Sequence, residues 1–190
     1  GSVDVQVILP AAATIDGDTN ICIGDTTTLM ASGATSYRWF LPPSDTVTGA
    51  NVDVMPKYTS NYQVVAISDQ NGDGDQCSSD TTETTVTVNP LPLITTAIDT
   101  TIFLGDQTIL KAYGGQSYSW TAKNSDELSC MDCDFPIANP IYDETLNIPN
   151  ERVYIVIGTD SNGCMNIDSI KIALKPDIIV FVPTAFSPNN

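Results

Sequence analysis

The chain has 190 residues, 23 of them acidic and 7 basic, for a net charge of −16, and it contains no histidine. Phosphate backbones are bound by clustered Lys and Arg, so nucleic acid is excluded as a partner, and the excess of carboxylates favours cations instead. No apolar run reaches the roughly 18 to 20 residues that cross a bilayer, which excludes membrane insertion, and a hydrophobic share of 42% excludes wholesale disorder.

Gly1-Ser2 reads as the scar of a cleaved tag. Val3-Asp4-Val5-Gln6-Val7 alternates apolar and polar side chains and runs into Pro10, as the closing strand of a preceding repeat would. Strands running into proline recur from Thr85 to Pro92 and from Asp168 to Pro176. Between these closures one pattern is written twice, 81 positions apart. Gly24-Asp25-Thr26-Thr27-Thr28-Leu29-Met30-Ala31-Ser32-Gly33 with Ser36-Tyr37-Arg38-Trp39 matches Gly105-Asp106-Gln107-Thr108-Ile109-Leu110-Lys111-Ala112-Tyr113-Gly114 with Ser117-Tyr118-Ser119-Trp120. That period exceeds the repeat length of solenoids and propellers, so each copy is long enough to close its own core. The division expected is residues 1–10 as tag scar and closing strand, 11–90 and 91–176 as two domains, and 177–190 as a linker and the truncated start of a further domain.

Period-two alternation, β-branched residues and the lack of an amphipathic helical pattern predict about seven short strands per copy. The fold class is therefore all-β, as two tandem immunoglobulin-like β-sandwich domains. Tyr37 and Trp39, like Tyr118 and Trp120, lie two apart and share one strand face, with Leu29 and Leu110 as expected neighbours. Both indoles are expected in the core rather than on a carbohydrate platform.

Asp69-Gln70-Asn71-Gly72-Asp73-Gly74-Asp75-Gln76-Cys77-Ser78-Ser79-Asp80 matches D-x-N-x-D-G with a further oxygen ligand at the twelfth position. Calcium takes six to eight hard oxygens, which Asp69, Asn71, Asp73, Asp75 through its carbonyl, and Asp80 can supply, with Gly74 permitting the sharp turn. A solvated Gly-Asp turn has the same composition, and both readings stand.

The five cysteines, in a Thr-rich strand protein, fit an exported chain with disulfides. Cys130 and Cys133 have the spacing of a redox pair, a zinc half-site or a local disulfide. Without a βαβ setting or histidine ligands, the structural disulfide is favoured. Count alone pairs Cys22 with Cys77, yet both are expected toward opposite ends of a sandwich, beyond the roughly 7 Å limit on Cα separation. Cys164 is then the expected free thiol. Without histidine a Ser or Cys nucleophile lacks its commonest base, and neither G-x-S-x-G nor a phosphate-cradling glycine loop occurs, so no enzymatic activity is expected.

Ile178-Ile179-Val180-Phe181-Val182-Pro183-Thr184-Ala185-Phe186-Ser187-Pro188-Asn189-Asn190 resembles the opening of the gliding-motility-associated C-terminal domain of Bacteroidota. In that family the module is the type B sorting signal of the type IX secretion system and follows arrays of Ig-like or PKD-like domains. Ile21 to Asp25, Tyr37 to Trp39, Leu128 to Cys133 and Asp160 to Cys164 are similar to those arrays. The resemblance implies a non-enzymatic stalk of a large surface adhesin, used in gliding or attachment and held outside the cell at the outer membrane. The implied partners are neighbouring Ig-like repeats and the C-terminal sorting domain in the same chain, the type IX secretion machinery, and a surface polysaccharide. The alternative it implies is a glycan-binding or spacer module of a secreted polysaccharide-degrading enzyme. Asp-Thr and Asp-Ser triplets at Thr26, Thr46, Thr81, Thr100 and Ser169 also resemble the O-glycosylation motif of that phylum, although a Thr-rich chain produces them by chance as well.

Overall fold

Alternation of β-branched and polar residues is realised as strands throughout a computed structural model that describes residues 12–68, 77–141 and 151–175. The chain divides into two compact units, Gly1–Leu91 and Pro92–Asn190, and each has a hydrophobic cluster of its own.

The first unit contains β1 (Thr14–Asp16), β2 (Asn20–Cys22), β3 (Thr27–Ser32), β4 (Ser36–Leu41), β5 (Asp45–Thr48), β6 (Asn51–Val54), β7 (Ser60–Ser68), β8 (Cys77–Ser78) and β9 (Thr82–Asn89). One sheet has the order β1-β3-β6, the other β2-β9-β7-β4-β5, with β8 paired to β7. The pairs are antiparallel except for β2 beside β9, which run parallel. The chain thus leaves the first sheet after β1 and joins the second as β2. Gly17, at φ +138°, makes that switch possible, because a Cβ there would meet the Thr28 carbonyl oxygen at 2.5 Å. Inward-facing Leu29, Trp39, Val64, Ala66 and Val86 are fully buried between the sheets. Burying one such aliphatic side chain contributes about 1.5–3 kcal/mol.

The second unit contains β10 (Thr95–Thr96), β11 (Thr100–Phe103), β12 (Thr108–Ile109), β13 (Ala112–Tyr113), β14 (Ser117–Thr121), β15 (Ile137–Ala138), β16 (Glu151–Thr159) and β17 (Met165–Lys175), with a 3₁₀ turn at Ser125–Glu127. Its main sheet has the order β11-β17-β16-β14, with β11 parallel to β17. The pairs β10-β13 and β12-β15 contribute further short ladders. Leu110, Trp120, Tyr154, Val156, Ile170 and Ile172 form the core.

The two copies use the same devices at equivalent positions. The Tyr37 hydroxyl accepts from the Ala34 N–H at 2.7 Å and donates to the Ala34 carbonyl at 2.8 Å. Tyr118 does the same with the Gly115 N–H at 3.0 Å and its carbonyl at 3.1 Å. Each tyrosine ties down the turn that precedes its own strand. Gly33 and Gly114 both have positive φ, and a Cβ at either would collide with the backbone oxygen of Ala12 or Leu93. Only glycine lets the first segment of each unit approach this closely.

Candidate functional site

The copies diverge beside the buried tryptophan. In the first unit β5 lies next to β4, and the Trp39 Nε1–H donates to the Gly49 carbonyl at 3.0 Å. The second unit places the Cys130–Cys133 segment there instead. The Trp120 N–H donates to the Met131 carbonyl at 2.6 Å, and its Nε1–H donates to the Cys133 carbonyl at 3.1 Å. Cys130 and Cys133 form a disulfide with a Cα separation of 6.0 Å. A closed loop of this kind has fewer unfolded conformations to lose, so it holds the Met131 and Cys133 carbonyls where a strand would otherwise present them. Its chemistry is structural.

The same unit holds a polar cluster that the sequence reading did not identify. Glu127, at 1% exposure, accepts from Arg152 Nε at 3.2 Å, from the Tyr154 hydroxyl at 3.2 Å and from the Ile141 N–H at 3.3 Å. Arg152 also donates through Nη2 to the Ile141 carbonyl at 2.7 Å and through Nη1 to the Glu151 carbonyl at 3.3 Å. Burial, the Glu127 charge and the Glu127 hydrogen bond push the Tyr154 phenol well above its ordinary value, against the opposing effect of Arg152. Tyr154 therefore stays protonated and donates. Strand parity was the available signal, since Arg152 shares the inward face of β16 with Tyr154 and Val156.

Of the proposed calcium ligands, Asp69, Asn71, Asp73 and Asp75 lie outside the described residues, while Asp80 is exposed just before β9. Ser68 and Cys77 are register partners across the antiparallel β7-β8 pair, so the acidic segment joins two adjacent strands. The Ser79 hydroxyl fixes the returning chain, accepting from the Ala66 N–H at 2.9 Å and donating to the Asp80 carbonyl at 2.7 Å.

Cys22 lies beside Asn89, at the end of the unit where β7 begins, whereas Cys77 lies beside Ser68, where β7 ends. At about 3.3 Å per residue the nine residues of β7 separate the two cysteines far beyond disulfide reach. The expectation of a free thiol at Cys164 is corrected: Cys22 and Cys164 are each disulfide-bonded, and Cys164 is fully buried.

Several aspartates of the Asp-Thr and Asp-Ser triplets act in turns and strand junctions. Asp168 accepts from the Thr96 N–H at 2.7 Å and from the Thr96 hydroxyl at 3.0 Å. Its carboxyl lies below the usual range, mainly through a hydrogen bond from the Ser169 backbone, aided by Thr96 and opposed by burial. Asp99 accepts from the Lys171 N–H at 2.9 Å. Asp25 and Asp106 hold equivalent turns, each accepting at 3.4 Å from the N–H three residues earlier.

Two sheets in the first copy, a four-stranded sheet with two short ladders in the second, a buried tryptophan on β4 or β14 and the tyrosine-bound turn define tandem immunoglobulin-like sandwiches. Residues 10–90 match the family model described as an Ig-like domain, CHU_C associated. No curated protein matches the chain. Among solved structures, a Ca²⁺-stabilised adhesin that helps an Antarctic bacterium bind ice is 13% identical, with a TM-score of 0.51, over 89% of this chain and 50% of that one. The chain therefore spans about half of that protein's length. A 1.5-MDa bacterial ice-binding adhesin is 13% identical over 89% of this chain and 66% of that one, with a TM-score of 0.42. The fibronectin(III)-like modules of Clostridium thermocellum CbhA are 13% identical over 87% of this chain and 95% of that one, also with a TM-score of 0.42. At such identities the likeness is one of fold.

Proposed function

We propose that the two sandwiches are non-enzymatic stalk domains of a large bacterial surface adhesin, carried outside the cell at the outer membrane and exported by type IX secretion. Neighbouring Ig-like repeats and a C-terminal sorting domain in the same chain are the partners this reading assigns. The observation that carries it is that each copy closes its own core around its own tryptophan. A domain built this way repeats without needing a neighbour to complete it. The match of residues 10–90 to the Ig-like model and the adhesin-type resemblance of the C-terminal segment support the same reading. No helix among the described residues is long and apolar enough to cross a membrane. Trp39 and Trp120 are at 0% and 1% exposure, which leaves neither indole free to stack on a sugar and favours the stalk over the glycan-binding alternative.

The test is made in the native host. Deleting the two units from the full-length protein is expected to weaken cell attachment, and replacing them with two unrelated sandwiches is expected to restore it. Specific binding of the purified 190-residue chain to plant or microbial polysaccharide would overturn the stalk reading in favour of the glycan-binding module.

Within this reading the acidic connection between β7 and β8 is a calcium site that stiffens the first unit, with Asp69, Asn71, Asp73, Asp75 and Asp80 as ligands. The donors are hard oxygens, and the paired ends at Ser68 and Cys77 fix where the segment leaves and rejoins the sheet. The first unit is expected to gain about 2.7 kcal/mol at roughly 100-fold calcium excess over Kd. The titration extends to about 10⁻³ M, because extracellular sites are often weak. Amide exchange in β7 and β9, with calcium and with chelator, reads the effect. Identical protection in both conditions, or a calcium response that survives Asp73→Ala, identifies the segment as a solvated turn.

A further inference from the structure

We infer that a cavity of the first unit, lined by the buried Tyr62, binds the carboxylate of a small organic acid. Tyr62 and Tyr154 are equivalent residues. Each stands two positions before the valine that pairs with the core tryptophan, Val64 with Trp39 and Val156 with Trp120. Both are buried, at 4% and 0% exposure. In sandwiches of this class a tyrosine near the start of this strand ordinarily bonds its hydroxyl within the domain. Tyr154 does so, donating to the Glu127 carboxylate at 3.2 Å, with Arg152 as the neighbouring cation. The Tyr62 hydroxyl has no hydrogen-bond partner among the described residues. None of their side-chain polar atoms is both sealed from solvent and unpaired, so this hydroxyl opens outward, onto a cavity of about 570 Å³ that Tyr62 lines.

The second copy shows the chemistry that matches this hydroxyl. At the position past the tryptophan where the second copy has Glu127, the first has Thr46, on β5, so the chain brings no equivalent carboxylate to Tyr62. Ser60 stands where Arg152 stands and gives its hydroxyl to the Tyr58 carbonyl at 2.7 Å. Lys57 lines the same cavity and supplies the cation instead, since it forms no ion pair among the described residues. The lining holds one carboxylate, Asp53, which sits at an exposed position of β6 and accepts from the Thr28 hydroxyl on the neighbouring strand at 2.6 Å. Burial raises the Tyr62 phenol above its ordinary value, so it stays protonated at neutral pH and donates to an anion. Pro42, Pro43, Met55 and the exposed ring of Tyr58 form an apolar wall, so the acid that fits carries a short hydrocarbon or aromatic body. This inference stands on the cavity alone and does not depend on the stalk reading.

Backbone amide chemical shifts of the 190-residue chain, followed during titration with hexanoate and with 3-phenylpropionate at neutral pH, test it. At least one acid is expected to shift amides from Asp53 to Gln63 with a Kd of about 1 mM or tighter. The corresponding amides, hexanamide and 3-phenylpropanamide, keep the body but not the charge and are expected to bind about tenfold more weakly. Tyr62→Phe is expected to weaken the acid by about tenfold without lowering the thermal midpoint, because the hydroxyl bonds nothing within the domain. Lys57→Gln is expected to weaken it several-fold, and Lys111→Gln, in the second unit, to leave it unchanged. No shift with either acid up to about 20 mM overturns the inference and assigns the hydroxyl to water alone. So does an amide that binds as tightly as its acid, or parent affinity in Tyr62→Phe, because the carboxylate is then not what the cavity recognises.

Discussion

Replacing Arg152 with methionine is expected to destabilise the second unit by about 3–5 kcal/mol, the usual cost of leaving one partner of a buried ion pair uncompensated. Glu127 and Arg152 are 1% and 4% exposed, so solvent cannot take over the neutralising role. The Tyr154 hydroxyl and the Ile141 N–H would remain on the carboxylate, but neither carries a charge. The Ile141 and Glu151 carbonyls would also lose their guanidinium donors. A double variant, Glu127→Gln with Arg152→Met, removes both charges and is expected to recover most of the loss, since replacing a whole buried pair is often close to neutral. Hydrogen exchange resolves the effect by position. Amides of β16 and β17 should lose protection in the single variant, while those of β7 and β9 should not change. A single variant as stable as the parent would mean that the ion pair contributes nothing net.

Strand alternation and the internal repeat make the sandwiches readable from sequence, because both follow from local chemistry. Trp39 and Trp120 occupy inward parity beside Leu29 and Leu110, and hydrophobic burial leaves them no better place. The repeat also shows which features are shared, such as the turn held by Tyr37 or Tyr118. Less legible are features decided by long-range partners. The switch at Gly17 depends on how closely Thr28 approaches, and no local pattern around residue 17 reports that distance. The Cys130–Cys133 spacing suggests a small disulfide loop, but not that the loop stands where the first copy has β5. That role emerges only when the Met131 and Cys133 carbonyls meet the donors of Trp120. Glu127 sits in an acidic stretch between β14 and β15, where a solvated carboxylate is the ordinary expectation. Its burial is set by Arg152, 25 residues further on. Cysteine pairing is similarly non-local, so an assignment by count misplaced Cys164.

Trp39→Ala is expected to cost the first unit about 3–5 kcal/mol, through lost burial and the cavity left between the sheets. The indole is fully buried in the cluster that contains Leu29, Val64 and Val86. Its Nε1–H also satisfies the Gly49 carbonyl at the turn between β5 and β6. Trp39→Phe separates the two contributions. Phenylalanine keeps much of the apolar contact but loses the donor, which should cost about 1–3 kcal/mol where that carbonyl is left unpaired. A domain of this size has a net stability of about 5–15 kcal/mol, so the alanine variant loses a large share of it. Because Trp39 belongs to one cluster and Trp120 to the other, the loss should stay within the first unit. Pulse proteolysis in increasing urea should therefore cut Trp39→Ala within residues 12–89 at lower denaturant than the parent, while β14, β16 and β17 keep their parent midpoint. Equal loss of protection in both units would contradict separate cores and, with them, the self-sufficient repeat on which the stalk reading rests.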